Sequence, residues 1–230
     1  MRMLAALLLL CSPLMAIEPY DSVEVLPPYH QGWFNCRGQL KQIFDNRDIE
    51  TVIEVGSWLG VSTIWMAENV VDGGKVYAVD HWKGSWEHQP GRYAYNEVLH
   101  RLYEQFLSNV IDKGMTERIV PVRMESGEAA AALDVKADLI YIDASHEFEP
   151  VLRDLEVWYP HLKEGGVFCG DDYNWRGVRR AVHLFARRHG MRIESDRAFW
   201  RLHPPKKGQQ KGFAPWQIGC GRVAGEEGGE

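Results

Sequence analysis

Apolar positions in this chain alternate between short β-branched runs and longer stretches at helical spacing, the signature of strands and helices taking turns. Leu40, Ile43 and Phe44 predict a short amphipathic helix over Gln39–Asp45, and Ile17–Gln31, with Pro27-Pro28, reads as an extended arm ahead of it. Thr51 to Val55 is a buried strand that breaks at Gly56. A turn through Ser57-Trp58-Leu59 reaches Gly60, and a helix pattern follows over Val61–Val70, closed by Asp72-Gly73-Gly74. Lys75–Val79 predicts a second strand ending at Asp80, then a loop, His81–Arg92, dense in Trp, His, Gly and Pro. Tyr95, Val98, Leu99, Leu102, Phe106 and Val110 keep one rhythm and predict a single long helix, with Gly114 at its C-cap. Arg118–Val122 is a third strand, followed by an alanine-rich helix through Leu133, and Asp138–Asp143 is a fourth. Val151–Tyr159 reads as helix, and a turn at 163–166 leads into a fifth strand, Val167–Cys169, ending at Asp171-Asp172. Val178, Ala181, Val182 and Phe185 share a face of the next helix, whose last turn holds Arg187, Arg188 and His189 before Gly190. Met191–Ser195 and Phe199–Leu202 predict a closing hairpin.

This alternation predicts an α/β fold: a doubly wound, mainly parallel, Rossmann-like sheet with a C-terminal antiparallel hairpin strand. Ligands of such sheets gather outside the carboxyl ends of the strands. Glu54, Asp80, Ser126, Asp143 and Asp171-Asp172 all fall at such ends, which makes one rim the expected site. The expected organisation is a signal peptide at 1–16, an arm and helix at 17–48, the α/β domain at 49–205 and a tail at 206–230, poorly ordered past Gly221.

Composition narrows the partners. The 230 residues carry a net charge of −6, which argues against a nucleic-acid backbone as main partner. Arg2 precedes an apolar run, Met3 to Leu10, and Ala16 is the expected cleavage point of an export signal. The run is too short to form a stable membrane span. A true start at Met15 would instead leave a cytoplasmic protein. Without that segment Cys36, Cys169 and Cys220 remain, with neither metal-ligand nor disulfide-scaffold spacing.

At the rim, the two glycines let backbone approach a ligand, and the following helix start offers N–H groups to an anion. Asp80 is placed to accept hydrogen bonds from vicinal ribose hydroxyls, Ser126 to border a base, and Ser62 with the first-turn amides to hold a carboxylate. A dinucleotide site wants G-x-G-x-x-G; here the spacing is G-x-x-x-G with Trp58 in the crowded part of the turn. That favours S-adenosylmethionine, which has no pyrophosphate, and an acidic Glu54 suits its ammonium group. Asp143, Asp171 and Asp172 end adjacent strands, and converging carboxylates ask for a hard divalent cation.

EVGSWLGVS resembles the first motif of class I S-adenosylmethionine-dependent methyltransferases, specifically the metal-dependent O-methyltransferases of the catechol and caffeoyl-CoA type. VRMESGEAAAAL is similar to that family's stretch after the third strand, while YAVDHWKG and IDASHEFEPVLRDLEVW resemble bacterial enzymes acting on sugar hydroxyls. The resemblance implies a cofactor site of Glu54, Gly56, Trp58, Gly60, Ser62, Asp80, His81, Ser126 and Asp143. It implies Mg²⁺ on Asp143, Asp171 and Asp172, although the third position is Asn in the family. His146 stands where the catechol enzymes carry a lysine base; an imidazole of pKa ~6.5 accepts a proton near neutrality, and Asp143 is the alternative. The implied reaction is methyl transfer to a hydroxyl of a small molecule, a phenol or a sugar. The alternatives are a hydroxylase-like relative with the same acidic rim, a non-catalytic exported protein that keeps the fold, and a nicotinamide oxidoreductase. Trp82, Trp86, His88, Tyr173, Trp175, Tyr29, Trp33 and Phe34 are candidate walls for the acceptor, or else core or homodimer contacts.

Overall fold

The computed structural model describes residues 19–85 and 96–205. The expected signal segment at 1–16, positions 86–92 of the aromatic loop, Tyr95 and the tail from 206 lie outside the described residues. Helix α1 (Arg37–Asp45) leads into β1 (Thr51–Val55), α2 (Val61–Asn69) and β2 (Lys75–Asp80); α3 (Asn96–Leu99), α4 (Leu102–Asp112) and β3 (Ile119–Arg123) follow. Then come α5 (Ser126–Ala132), β4 (Ala137–Ile142), α6 (Phe148–Trp158), β5 (Leu162–Gly170), α7 (Arg176–His189), β6 (Arg192–Asp196) and β7 (Phe199–His203).

The strands form one sheet in the order β3-β2-β1-β4-β5-β7-β6. β1 pairs in parallel with β2 and β4, and only the contacts of β7 with β5 and β6 are antiparallel. The central strands are near-continuous apolar runs because helices cover both faces. Val52, Leu139, Tyr141 and Val167 pack on one face with Leu40, Met66 and Phe106; Ile53, Ile140, Ile142 and Phe168 pack on the other with Leu155, Val182 and Phe185. Strand order reverses beside β1, where the crossovers to β2 and to β4 leave toward opposite faces. That opens the crevice where such folds bind ligands.

Two expectations change. The single helix expected from Tyr95 to Val110 is two: α3 stops at Leu99, and Arg101 starts α4 by accepting the amide of Gln105 at 2.9 Å. The break re-aims the chain so that Leu102, Phe106 and Val110 are buried while Arg101 reaches Glu24 at 2.8 Å. The fifth strand begins at Leu162 rather than Val167, because a register shift in its pairing with β4 absorbs the glycine pair inside the strand. No helix among the described residues is long and apolar enough to cross a membrane.

The arm has no strand partner, so α4 supplies one with side chains. Ser108 Oγ accepts the amide of Leu26 at 2.9 Å, and Gln105 Nε2 donates to the Pro27 carbonyl at 2.9 Å. Asn109, fully buried, accepts the Tyr29 amide and donates to the carbonyls of Tyr29 and Leu59, all at 2.9 Å. One amide therefore joins the arm, α4 and the turn after β1. Asn109→Ala is expected to cost about 2–3 kcal/mol by orphaning the buried Leu59 carbonyl and releasing the arm. Urea unfolding checks this; a loss below about 0.5 kcal/mol would mean that the arm is held by other contacts.

Candidate functional site

The site starts from a close approach. Gly56 has φ +96°, and a Cβ there would stand 2.1 Å from the Asp143 carbonyl oxygen. Its amide donates to the Val79 carbonyl at 2.8 Å, and the Asp143 amide donates to the Val55 carbonyl at 2.8 Å, so the ends of β1, β2 and β4 are laced together. Gly60, with φ +86°, begins α2 and lies against the ring of Phe106. Trp58 between them also has positive φ, as do Trp82 and Asp172 at other strand ends on this rim. Non-glycine residues held there store strain that the surroundings must enforce.

The enforcing groups are carboxylates. Asp80 accepts the Trp58 amide at 3.0 Å through one oxygen and the Trp82 amide at 2.7 Å through the other. Trp82 Nε1 donates to the Trp58 carbonyl at 2.8 Å, closing the two turns on each other. Glu54 is completely buried; Ser62 Oγ donates to it at 2.5 Å and Thr63 Oγ1 donates to its other oxygen. Burial pushes its carboxyl pKa up, and the hydroxyls of Ser62 and Thr63 oppose that rise. Ser57 also lies close enough to favour the ionised Glu54, yet its buried Oγ makes no hydrogen bond of good geometry among the described residues.

These groups border a cavity of about 360 Å³. Gly56, Ser57, Trp58, Ser62, Asp80 and His81 line one part, with Ser126 beside them; Asp143, His146, Asp171, Asp172 and Trp175 line the other. Gly32, Trp33 and Asn35 close it from the arm. Of the residues expected at the cofactor, Glu54 stands behind the wall rather than on it, and Gly60 sets the turn without being part of the lining. His81 accepts the Lys83 amide at 3.0 Å and lies 3.7 Å from Asp80. The Ser126 hydroxyl is occupied: it donates to Asp154 at 2.5 Å and accepts from Trp158 Nε1 at 2.9 Å.

The three aspartates share the rim with separate engagements. Asp172 meets His146 Nε2 at 2.6 Å, and the His146 ring stacks on Trp175 with centroids 4.3 Å apart and planes 6° from parallel. Asp171 is buried, accepting the Tyr141 hydroxyl at 3.3 Å and the Asp172 amide at 2.7 Å. The Cys36 thiol also bonds to Asp171, and burial followed by that contact pushes its pKa up. Burial pushes the Asp143 carboxyl well above the usual range, with the charges of Asp171, Asp172 and Glu54 adding to it. Among the described residues no three His, Cys, Asp or Glu side chains are grouped so as to hold a metal ion. As placed, this donor set does not fit a divalent cation.

The sheet order, the glycine turn and the acid at the end of β2 define a class, the α/β proteins that hold a nucleoside-like ligand over the switch point. Within it the chain belongs to the methyltransferase-domain family, whose model matches residues 53–173. Solved structures share the fold at low identity. An O-methyltransferase from Bacillus cereus, in complex with SAH, is 16% identical with a TM-score of 0.56, covering 76% of this chain and 82% of that one. The O-methyltransferase of tomaymycin synthesis from Streptomyces achromogenes, in complex with SAM, is 15% identical with a TM-score of 0.57, covering 74% and 80%. An SAM-dependent O-methyltransferase from Thermotoga maritima is 15% identical with a TM-score of 0.56, covering 78% and 68%. A curated relative, an uncharacterised protein of Acanthamoeba polyphaga mimivirus, is 36% identical over 36 residues, 16% of each chain's length.

Reading the sequence missed Ser57, Asn109 and Asp154. Their signal is only that they are polar within otherwise apolar helical or turn stretches, which a solvated face also produces. Asp154 is testable by itself. It is 5% exposed, and burial raises its pKa from 3.8 to about 6, with Ser126 opposing. Between about pH 4 and pH 6 the folded chain keeps a proton that the unfolded chain has lost. The contribution of Asp154 to stability therefore falls as pH rises through that window, by about 3 kcal/mol, and is level above it. Asp154→Asn keeps an acceptor for Ser126 and is expected to flatten that part of the profile in denaturation measured from pH 4 to 7. An unchanged slope would contradict the assignment.

Proposed function

We propose that the protein transfers a methyl group from S-adenosylmethionine to a hydroxyl of a small molecule. The observation that carries this reading is the continuity of one cavity wall, from the glycine turn and Asp80 to Asp143, His146 and Trp175. The buried Ser57 hydroxyl lining that wall makes no hydrogen bond of good geometry among the described residues, and a bound ligand would supply one. Each Asp80 oxygen accepts one backbone N–H and keeps lone-pair capacity for a ribose hydroxyl. Gly56 and Trp58 present backbone to the ligand, Ser62 stands at the helix start that would face its carboxylate, and the body of Ser126 borders the base. The cofactor supplies an electrophilic methyl on a sulfonium.

The chain's own contribution is to bind the acceptor and take its proton. His146 faces the cavity and is fixed twice, by the Asp172 carboxylate and by the Trp175 ring, so its rotamer is set before an acceptor arrives. Asp172 is the positioning residue, favouring the imidazolium that forms. Trp33 on the arm and Trp175 before α7, both exposed at the cavity, are the surfaces for the acceptor ring.

Two measurements check this. Calorimetric titration with S-adenosylhomocysteine is expected to show binding that Asp80→Ala weakens by about ten-fold or more, since two ribose hydrogen bonds and the turn geometry go together. Equal affinity would remove the ribose assignment. With labelled cofactor and a panel of phenols and sugars, His146→Ala is expected to lower turnover by about 10²-fold while leaving that affinity within about two-fold. The expected Mg²⁺ dependence is the finer question. Because Asp172 is committed to His146, EDTA is expected to change turnover by less than about two-fold, whereas a loss of about ten-fold restored by Mg²⁺ would put a cation between Asp143, Asp171 and Asp172.

A further inference from the structure

Helix α7 carries a charge pattern that its own stability does not explain. It holds five arginines, Arg176, Arg179, Arg180, Arg187 and Arg188, and no acid, in a chain whose net charge is −6. The pair near its end suits the negative end of the helix, and Arg188 and His189 meet Glu156 at 2.9 and 3.5 Å. The other end is the reverse case. Arg176 is the first helical residue and Arg179 the fourth, where the helix dipole favours acids, and the first turn has none. Among the described residues Arg176, Arg179 and Arg187 make no ion pair, and Arg180 lies over the Phe148 ring, 4.7 Å from its centroid.

These side chains line a second depression, a groove of about 430 Å³ bounded by Phe148, Arg179, Arg180, His183, Leu184 and Arg187. It adjoins the methyl-transfer cavity along two separate stretches of chain. His146 lines the cavity and Phe148, two residues on, lines the groove. Trp175 lines the cavity and Arg179, one helical turn or ~6 Å along the axis, lines the groove. Gly177 keeps the two elements in contact, since a Cβ there would stand 2.2 Å from the His146 carbonyl oxygen. Several guanidinium groups beside one histidine, aimed at a concave surface, match the charge and the fork-like donor geometry that a phosphate accepts.

We infer that the groove holds a phosphate group of the acceptor while the acceptor's ring rests on Trp175 at the cavity mouth. This rests on the methyl-transfer reading above. It narrows the substrate class to phosphorylated hydroxyl compounds, and it gives Arg179, placed at the unfavourable end of the helix, an anion to meet.

Calorimetry on the full chain tests it, with phenyl phosphate and inorganic phosphate titrated into protein with and without S-adenosylhomocysteine. Phenyl phosphate is expected to bind about ten-fold tighter than inorganic phosphate, because only it reaches Trp175, and Trp175→Ala is expected to erase that difference. Arg179→Gln with Arg180→Gln is expected to weaken phenyl phosphate about ten-fold, Arg179→Lys with Arg180→Lys to weaken it by less because the charge stays while the fork is lost, and neither pair to change affinity for S-adenosylhomocysteine. Equal affinity of the glutamine variant and the parent, or no binding of either probe, would overturn the inference. Equal binding of the two probes would make the groove a free-anion site and overturn the acceptor assignment. Failure of S-adenosylhomocysteine alone to bind would count against the methyl-transfer reading, while the cofactor-free titrations still report on the groove.

Discussion

Everything at this site depends on how closely the backbone after β1 runs against the end of β4. With a 2.1 Å gap to the Asp143 carbonyl, position 56 admits no side chain. That closeness puts the turn that would cradle the donor and the residues that would handle the acceptor's proton on one wall. A wider separation would leave two unrelated depressions. Parallel pairing on both sides of β1 and the change of strand order beside it create the crevice, and the glycine lets its two sides meet.

Holding that arrangement takes four buried or half-buried polar groups, each hydrogen-bonded to a neighbour. Asp80 spans two turns whose tryptophans have positive φ. Glu54 binds two hydroxyls of α2 from inside the core, and Asp154 reaches from α6 to Ser126 at the start of α5. Asn109 fastens the arm to the same turn. Water is excluded from most of these contacts, so each missing partner would cost the full desolvation of the group left behind. The turns, the arm and the helix starts around the cavity are thereby tied to one another by hydrogen bonds.

Much of this architecture was legible in the chain itself. β1 was expected over the residues it occupies, because a five-residue β-branched run bounded by glycine has few other readings. α7 was legible because Val178, Ala181, Val182 and Phe185 mark one face and Gly190 ends it. The break at His100-Arg101 was not, since the apolar rhythm continues across it and the cause is the tertiary burial of Leu102 and Phe106. The early start of β5 was hidden for a similar reason: a bulge makes a glycine pair look like a turn. At the site, strand ends carrying acids foretold the rim. Which way each carboxylate turns is a matter of packing that one-dimensional spacing does not encode. Glu54 faces inward to Ser62 and Thr63, and Asp172 faces His146.

His146 pairs with Asp172 and stacks on Trp175 at the mouth of the cavity, with the arginine-lined groove beside it. In the proposed reaction His146 would take the acceptor's proton, and the groove would give the acceptor a second point of attachment. The most direct measurement is a crystal structure of the full chain with S-adenosylhomocysteine. The account predicts its ribose on Asp80 and its sulfur turned toward Asp143 and His146 within the same cavity. A ligand bound elsewhere, or one whose sulfur faces away from His146, would contradict it.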